Sequence, residues 1–453
     1  MGTYHVKNYG AIGDGSTSDT CAIQNAIDHC AKEGGGTVLL ENGQYVSGTL
    51  RLPSDVTLKI EGNARLLASR DIRDYREDVH HNRYRNEQAL DRCLIYAEDA
   101  ENIGILGSGE INGCSEAFPN EGSIYRPMML RFLRCKNIRL SDIRLYNAAA
   151  WTTAFLDSSH IWVDRVDIQN QKRYNGDGLD FDGCSHVYVR DCHILGTDDN
   201  LCLQSGSREY PVHDIHVSGC TFSSVCAAIR IGLKSIGSIY NVVVQNCTMH
   251  NVWREGIKVE CTEGGEISDV LIDNIAMRNV SRPVFLILNN RFEPKGWGSS
   301  VELQEVPEIG VMKRITISNL HAADDEEMAR PHLRFGNDIM GSPSFNGIRI
   351  DAPKEHPIEE VTLRNLHYTS IGGVRLADIP EQYPEVVDRR KDAVSESSEN
   401  YYPDWSRAAF MDIRNVKGLF LDGIVLRPQR KDERRPVILE GCDTLAETVF
   451  IRE

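Results

Sequence analysis

Apolar residues recur on alternate positions in short runs along this chain. The runs stand at Asn137-Ile138, His160-Ile161-Trp162-Val163, His186-Val187-Tyr188-Val189, Asp214-Ile215-His216-Val217, Asn241-Val242-Val243-Val244 and Asp269-Val270-Leu271-Ile272. Their equivalent apolar positions 138, 161, 187, 215, 242 and 270 are 23, 26, 28, 27 and 28 residues apart. Alternation within a run is the period of a half-buried strand, and its return at a period in the twenties is that of a solenoid. A polar link and a second strand pattern follow each run, as in Asp191-Cys192-His193-Ile194, Gly219-Cys220-Thr221-Phe222 and Asn246-Cys247-Thr248-Met249. Several short strands per repeat predict the coils of a parallel β-helix. A leucine-rich repeat would instead show LxxLxL and usually a helix. Weaker copies at Asn102-Ile103, Arg314-Ile315, Glu360-Val361 and Gly418-Leu419 carry the array through most of the chain.

The pattern predicts an all-β, single-domain solenoid over residues 1–453, with an N-terminal cap over about 1–40 and coils over about 41–430. In the cap, Asp19 to Ala31 places Ile23, Ala26 and Ile27 on one helical face, with Ser18 or Asp19 as N-cap and Gly34-Gly35-Gly36 as the stop. Such a helix covers edge strands that would otherwise pair with another molecule. The loop Gly10-Ala11-Ile12-Gly13-Asp14-Gly15 matches the spacing of neither GxGxxG nor GxxxxGK[ST], which argues against nucleotide binding. Toward the C-terminus the steps between positions 270, 315, 361 and 419 widen to 45, 46 and 58, leaving room for long inserts at about 289–311, 323–346 and 372–412. The first carries Phe292, Pro294 and Trp297 and the third Tyr401, Tyr402 and Trp405. Long loops on a rigid array commonly wall a site.

Length alone would suggest several domains, but a continuous repeat grows without separate cores. A net charge of −16 and a pI near 5.4 argue against a nucleic-acid partner, which needs basic stripes. No run of about 18 apolar residues occurs, which argues against a membrane partner. The opening Met1-Gly2-Thr3-Tyr4-His5 has no signal-peptide pattern, which predicts a cytoplasmic protein. Cys192, Cys220 and Cys247 share one repeat phase, so they read as stacked small hydrophobes rather than disulfides or ligands. Without CxxC or HExxH, neither a metal nor another cofactor is expected. Association into homo-oligomers stays open.

The chemistry concentrates between Asn175 and Ser205, NGDGLDFDGCSHVYVRDCHILGTDDNLCLQS. Aligning Leu179-Asp180-Phe181 with Leu201-Cys202-Leu203 sets Asp177 beside Asp199, 22 residues on, with Asp198 adjoining. Carboxylates on adjacent coils, roughly 5 Å apart by strand spacing, cannot all stay ionised, so one is left protonated. Cleaving a glycosidic bond needs such a protonated carboxyl at the leaving oxygen and an ionised one to activate water.

The opening GAIGDGSTSDTCAIQNAI, the stretch GTVLLENGQYVSGTLRL, the phrase ILGSGEINGCS and the NGDG and TDDN motifs together resemble glycoside hydrolase family 28, the polygalacturonase family, from about Gly10 to Arg282. The resemblance implies a right-handed parallel β-helix and an inverting hydrolase. It also implies that Asp198 is the general acid and that Asp177 and Asp199 hold and activate water. Two family motifs are altered. Where family endo-enzymes have Gly-His-Gly, aligning Ile229-Arg230-Ile231-Gly232 puts Ala227 at the histidine. Where they read Arg-Ile-Lys, Gly256-Ile257-Lys258-Val259-Glu260 gives Lys258 and Glu260.

In strand register Asp180, Cys202, Arg230 and Lys258 form one outward column, with Arg254 and Arg282 near the adjacent turn. Cations on an acidic protein suit a carboxylated sugar, because Arg holds a carboxylate bidentately. Balancing Asp180, Asp182 and Glu260 is the plainer role for them. With Asn175, Asp180, Glu260 and Trp151, they complete the candidate substrate-binding set. The substrate expected in a cytoplasm is a short pectic oligosaccharide cut from a chain end. Three other readings remain: a neutral glycoside on the same scaffold, a β-helical polysaccharide lyase using Arg or Lys as base, and a non-catalytic carbohydrate-binding solenoid.

Overall fold

The computed structural model describes residues 2–76, 92–120, 125–290, 305–326, 332–334, 338–340, 347–379 and 406–451. The chain is mostly strand and divides into two compact units, Met1–Asp199 and Asn200–Glu453.

In the first unit three parallel ladders form three sides of each coil. The first ladder joins Gly2–His5, Gly36–Leu40, Val56–Ile60, Glu101–Leu106, Lys136–Ser141, Ser159–Asp164 and Ser185–Arg190. The second joins Asp14–Ser18, Gly43–Ser47, Ala64–Ala68, Glu110–Asn112, Arg144–Tyr146, Asp167–Asn170 and His193–Gly196. The third joins Leu50–Arg51, Cys93–Glu98, Met128–Leu133, Thr153–Leu156 and Leu179–Asp182. Parallel strands connected this way coil with the right hand. Ile103, Ile138, Ile161 and Val187 pair in sequence, in the register that the spacing predicts.

Two local causes hold that register. Inside the coil Phe132, Phe155 and Phe181 stack with ring centroids 5.0 and 4.9 Å apart, which removes three aromatic faces from water. At the second residue of four first-ladder strands, where the chain turns its corner, Asn102, Asn137, His160 and His186 take φ between 55° and 58°. Asn, Asp and His tolerate that left-handed conformation best among residues with a side chain. Hence the polar residue that opens each run. Asn137 donates to Asn102 (2.9 Å) and Asn102 to Asp55 (2.8 Å), so the corners also bond along the stack.

The front is closed by helix α1, Thr20–Lys32, which buries Ile23, Ala26, Ile27 and Cys30. Asp19 is its N-cap residue but makes no side-chain cap bond. Its carboxylate accepts instead from the backbone N–H of Ile12 (2.6 Å) and Gly13 (3.1 Å), tying down the glycine-rich loop. Gly36 has to be glycine, since a Cβ there would stand 2.4 Å from the Gly2 carbonyl. Strand pairing begins inside the stretch read as cap, at Gly2–His5 with Gly36–Leu40.

In the second unit the strands lengthen until Ser238–Cys261 and Glu266–Leu288 each run through several sides of a coil. Ile215, Val242, Val270, Ile315, Val361 and Leu419 pair one to the next, so the wider steps leave the register intact. The breaks between successive coil strands fall between Leu288 and Val311, Ala323 and Ile348, and Gly372 and Ala408. The middle insert holds an antiparallel pair, His332–Arg334 with Asp338–Met340. The third ends sooner than 412, because Ala408–Arg414 is already a coil strand beside Ile348–Asp351. Phe292, Pro294, Trp297, Tyr401, Tyr402 and Trp405 lie outside the described residues. Pairing continues past 430 to Asp443–Ile451. All thirteen cysteines are free thiols, and Cys192, Cys220 and Cys247 are buried. Among the described residues no helix is long and apolar enough to cross a membrane.

Candidate active site

In the first unit the third ladder ends on Leu179–Asp182, and the turns beside it bring the acids together. Gly178 donates its N–H to the carbonyl of Asp199 (3.0 Å), which sets the NGDG turn against the TDDN turn one coil later. Thr152 holds the Asp177 carbonyl with both its N–H (3.1 Å) and its hydroxyl (2.7 Å). Asn170, buried, donates to Thr152 Oγ1 (3.0 Å) and fixes that threonine in turn. Asp199 donates its N–H to Asp198 Oδ1 (3.0 Å), and carboxylate oxygens of the two residues lie within 4.8 Å of each other.

Asp177, Asp180, Asp182 and Asp199 are buried, while Asp198 is half-buried. Burial first, then the charges of Asp198, Asp180 and Asp199, push the Asp177 carboxyl well above the usual carboxylate range. Asp177 Oδ1 has no hydrogen-bond partner. Asp177 therefore holds a proton to higher pH than an exposed carboxyl does. The family resemblance puts the proton donor at Asp198, which is the more accessible of the two. Neighbouring acids that share one proton titrate as a set.

A carboxyl whose pKa rises on folding binds its proton more tightly in the native state, so its contribution to stability falls as pH climbs above the unfolded value of about 3.9. Asp177→Asn should accordingly be more stable than wild type by about 1–2 kcal/mol near neutrality and no more stable below about pH 4. Urea unfolding of the two proteins at both pH values checks this.

Other expected residues are placed as follows. Asn175 sits at φ 53° and its Oδ1 accepts from Arg126 Nη2 (2.8 Å). Arg126, itself buried, also donates to the Tyr174 carbonyl and so holds the whole NGDG turn. Asp180 pairs in register with Ala154, which pairs with the fully buried Arg131. Sequence reasoning passed over both arginines, although Arg131 interrupts the apolar strand Met128–Leu133 and was visible for that reason. Trp151 corrects the expectation made for it. It is only 4% exposed, in a buried cluster with Cys93, Tyr96, Met128, Leu133, Ala154 and Leu156, so its ring serves packing and offers no open face to a sugar.

In the second unit Cys202, Arg230 and Lys258 pair in sequence, as the repeat phase predicts. Arg230 Nη2 and Lys258 Nζ stand 3.1 and 3.5 Å from Glu260 Oε2. Glu255, absent from the sequence-based set, is the second anchor. It meets Arg282 Nη1 at 3.0 Å and both Lys258 Nζ and Arg254 Nε at 3.6 Å. Burial by itself would raise the Glu255 carboxyl, but Lys258, Arg254, Arg282 and Arg230 outweigh it and hold the pKa down to about 2. For Lys258, burial lowers the pKa, but Glu255 and Glu260 outweigh it and raise it. Arg282 also lies over the Phe285 ring, 4.8 Å from its centroid. Arg254 is the most open of the four cations, its side chain 22% exposed.

Residues 30–321 match the model of the glycosyl hydrolases family 28. A probable polygalacturonase of Vitis vinifera is 26% identical over 319 residues, 64% of this chain and 65% of the relative, so the chain spans just under two thirds of that relative's length. Among solved structures, the exopolygalacturonase of Thermotoga maritima has a TM-score of 0.65 at 20% identity, covering 82% of this chain and 87% of its own. The family 28 exopolygalacturonase of Yersinia enterocolitica has a TM-score of 0.68 at 18% identity, covering 99% and 78%. Both likenesses are of fold.

Proposed function

The chain belongs to the glycosyl hydrolases of family 28, and from that premise we propose that it hydrolyses short uronic-acid-containing, pectic oligosaccharides with inversion, acting from the chain end. The observation that carries this reading is the carboxylate cluster of the first unit, in which burial and the charges of Asp198, Asp180 and Asp199 raise the Asp177 carboxyl and so favour a pairing of protonated with ionised carboxyls. An inverting glycosidase needs that pairing of protonated and ionised carboxyls. On this proposal Asp198, the most accessible acid, delivers the proton to the leaving oxygen. Asp177 and Asp199 hold the water that attacks from the other side.

The substrate-binding residues expected from the sequence are Asn175 and Asp180 in the first unit and Arg230, Arg254, Lys258, Glu260 and Arg282 in the second, whose cations supply positive charge suited to a uronate. The cytoplasmic location expected from the sequence enters as the reason for a short substrate, and the long inserts as the reason for attack at an end. A neutral glycoside is the second reading, favoured by the ion pairs that Arg230 and Lys258 already make with Glu260.

The test is product release from a panel of short pectic and neutral oligosaccharides, followed by mass and proton NMR. A saturated monosaccharide of inverted anomeric configuration, appearing first, supports the proposal. A product absorbing in the near ultraviolet indicates a lyase, and no product from any member a binding module. Substrate charge is tested separately with Arg230→Ala. Losing a charge-assisted contact should lower kcat/KM for a uronate substrate by about 10- to 100-fold while sparing a neutral one.

A further inference from the structure

We propose that the first unit carries a second, non-catalytic saccharide site, a cleft on the outside of its first ladder that takes one carboxylated sugar residue. The outward column of that ladder reads Thr57, Gly104, Arg139, Trp162, Tyr188. Gly104 is its one position without a side chain. A cleft of about 340 Å³ opens there, with Thr57, Arg139 and Trp162 among its walls and Asn102 and Asn137 beside them. A Cβ at Gly104 would stand 3.2 Å from Thr57 Oγ1, so even a small side chain intrudes on the space.

The lining suits an anionic ring. The Arg139 guanidinium lies 5.3 Å from the Trp162 ring centroid, and Trp162 is stacked on Tyr188 at 6.0 Å and 11°, which fixes the platform under the arginine. Arg139 is exposed and forms no ion pair among the described residues. Its neighbours differ: Arg134 holds Asp99, Arg165 holds Asp142 and Arg190 holds Asp164. The Asn137–Asn102 hydrogen bond sets both carboxamides at the rim, within reach of sugar hydroxyls. A planar guanidinium recognises a carboxylate bidentately, and the volume lies at the lower end of small-molecule sites, with room for one sugar ring. The acids stand at the third ladder, so the two sites occupy different sides of the coil. Choosing a uronate rests on the substrate reading above, whereas the cleft's own chemistry asks for a ring bearing a carboxylate.

The test is calorimetric titration of the full-length Asp198→Asn protein with a galacturonate trimer and its methyl ester, with Arg139→Gln and Gly104→Val each added in turn. The expected result is two sites for the acid, one of them weakened about tenfold or more by either substitution and absent for the ester. Turnover of the trimer by the same two variants, in an otherwise wild-type chain, should stay within about twofold, as for a site remote from the chemistry. A single site unchanged by both substitutions overturns the inference. Arg139-dependent binding in a protein that hydrolyses nothing would leave the cleft standing and overturn the catalytic reading instead.

Discussion

Asp198→Asn should lower turnover of the best pectic oligosaccharide by about 10³- to 10⁴-fold, the upper range for losing a general acid, with KM little changed. Asparagine is nearly isosteric and keeps the oxygen that accepts from the Asp199 N–H, so the turn should survive and the loss should be chemical. The pH profile carries the second half of the expectation. With the Asp177 carboxyl raised beside Asp198, Asp180 and Asp199, the alkaline limb reports the group rather than Asp198 alone, and Asp177→Asn should move that limb as well as lower its height. A variant at Asp198 that retains a tenth or more of wild-type turnover would remove this residue from the donor role. The deeper Asp177, whose carboxyl is raised by burial and its acidic neighbours, would then take its place.

The largest expected loss of stability belongs to Glu255. Replacing it with glutamine should cost about 3–5 kcal/mol, the usual penalty for stripping one partner from a buried ion network. Three cations converge on this carboxylate, and Lys258 among them is buried. The amide keeps the volume and removes the charge, so Lys258 keeps Glu260 as a counter-ion at 3.5 Å. The urea midpoint should fall with its slope unchanged. The pH sign is distinct: a carboxyl held at about 2 stabilises fully above its unfolded value of roughly 4.3, and that contribution is lost as pH falls toward 2. Wild type should therefore lose its advantage over Glu255→Gln in acid. Adding Lys258→Met to the variant should restore much of the stability, because the uncompensated charge goes with it. No recovery would mean that Glu255 acts through packing.

How far the sequence could be read depended on how local the cause was. The strand register was legible because alternation is exact to one residue, and Ile138 opposite Ile161 follows from it. The same counting set Asp177 against Asp199, and the Gly178–Asp199 backbone bond now joins those turns. Glu255 was not legible. It lies at the turn where the pairing of Ser238–Cys261 slips, so period-2 counting assigns it no direction, and its role depends on Arg282, 27 residues on, as well as on the nearby Arg254 and Lys258. Arg126 was hidden for a like reason, since it reaches 49 residues along the chain to hold Asn175. Trp151 misled because an aromatic beside a site and one within a wall have the same sequence signature.

The inserts leave the ladder without altering its count. Pairing resumes in phase at Val311, after the break following Leu288, and again at Ile348 and Ala408. Because the ladder fixes only where an insert departs and where pairing resumes, the stack places little limit on what is inserted. They are natural grafting points. A segment transplanted from another solenoid would inherit a rigid frame and change what is presented without disturbing how the coils nest. Selection acting on the edges of this protein could thus try new substrates while its core stayed the same.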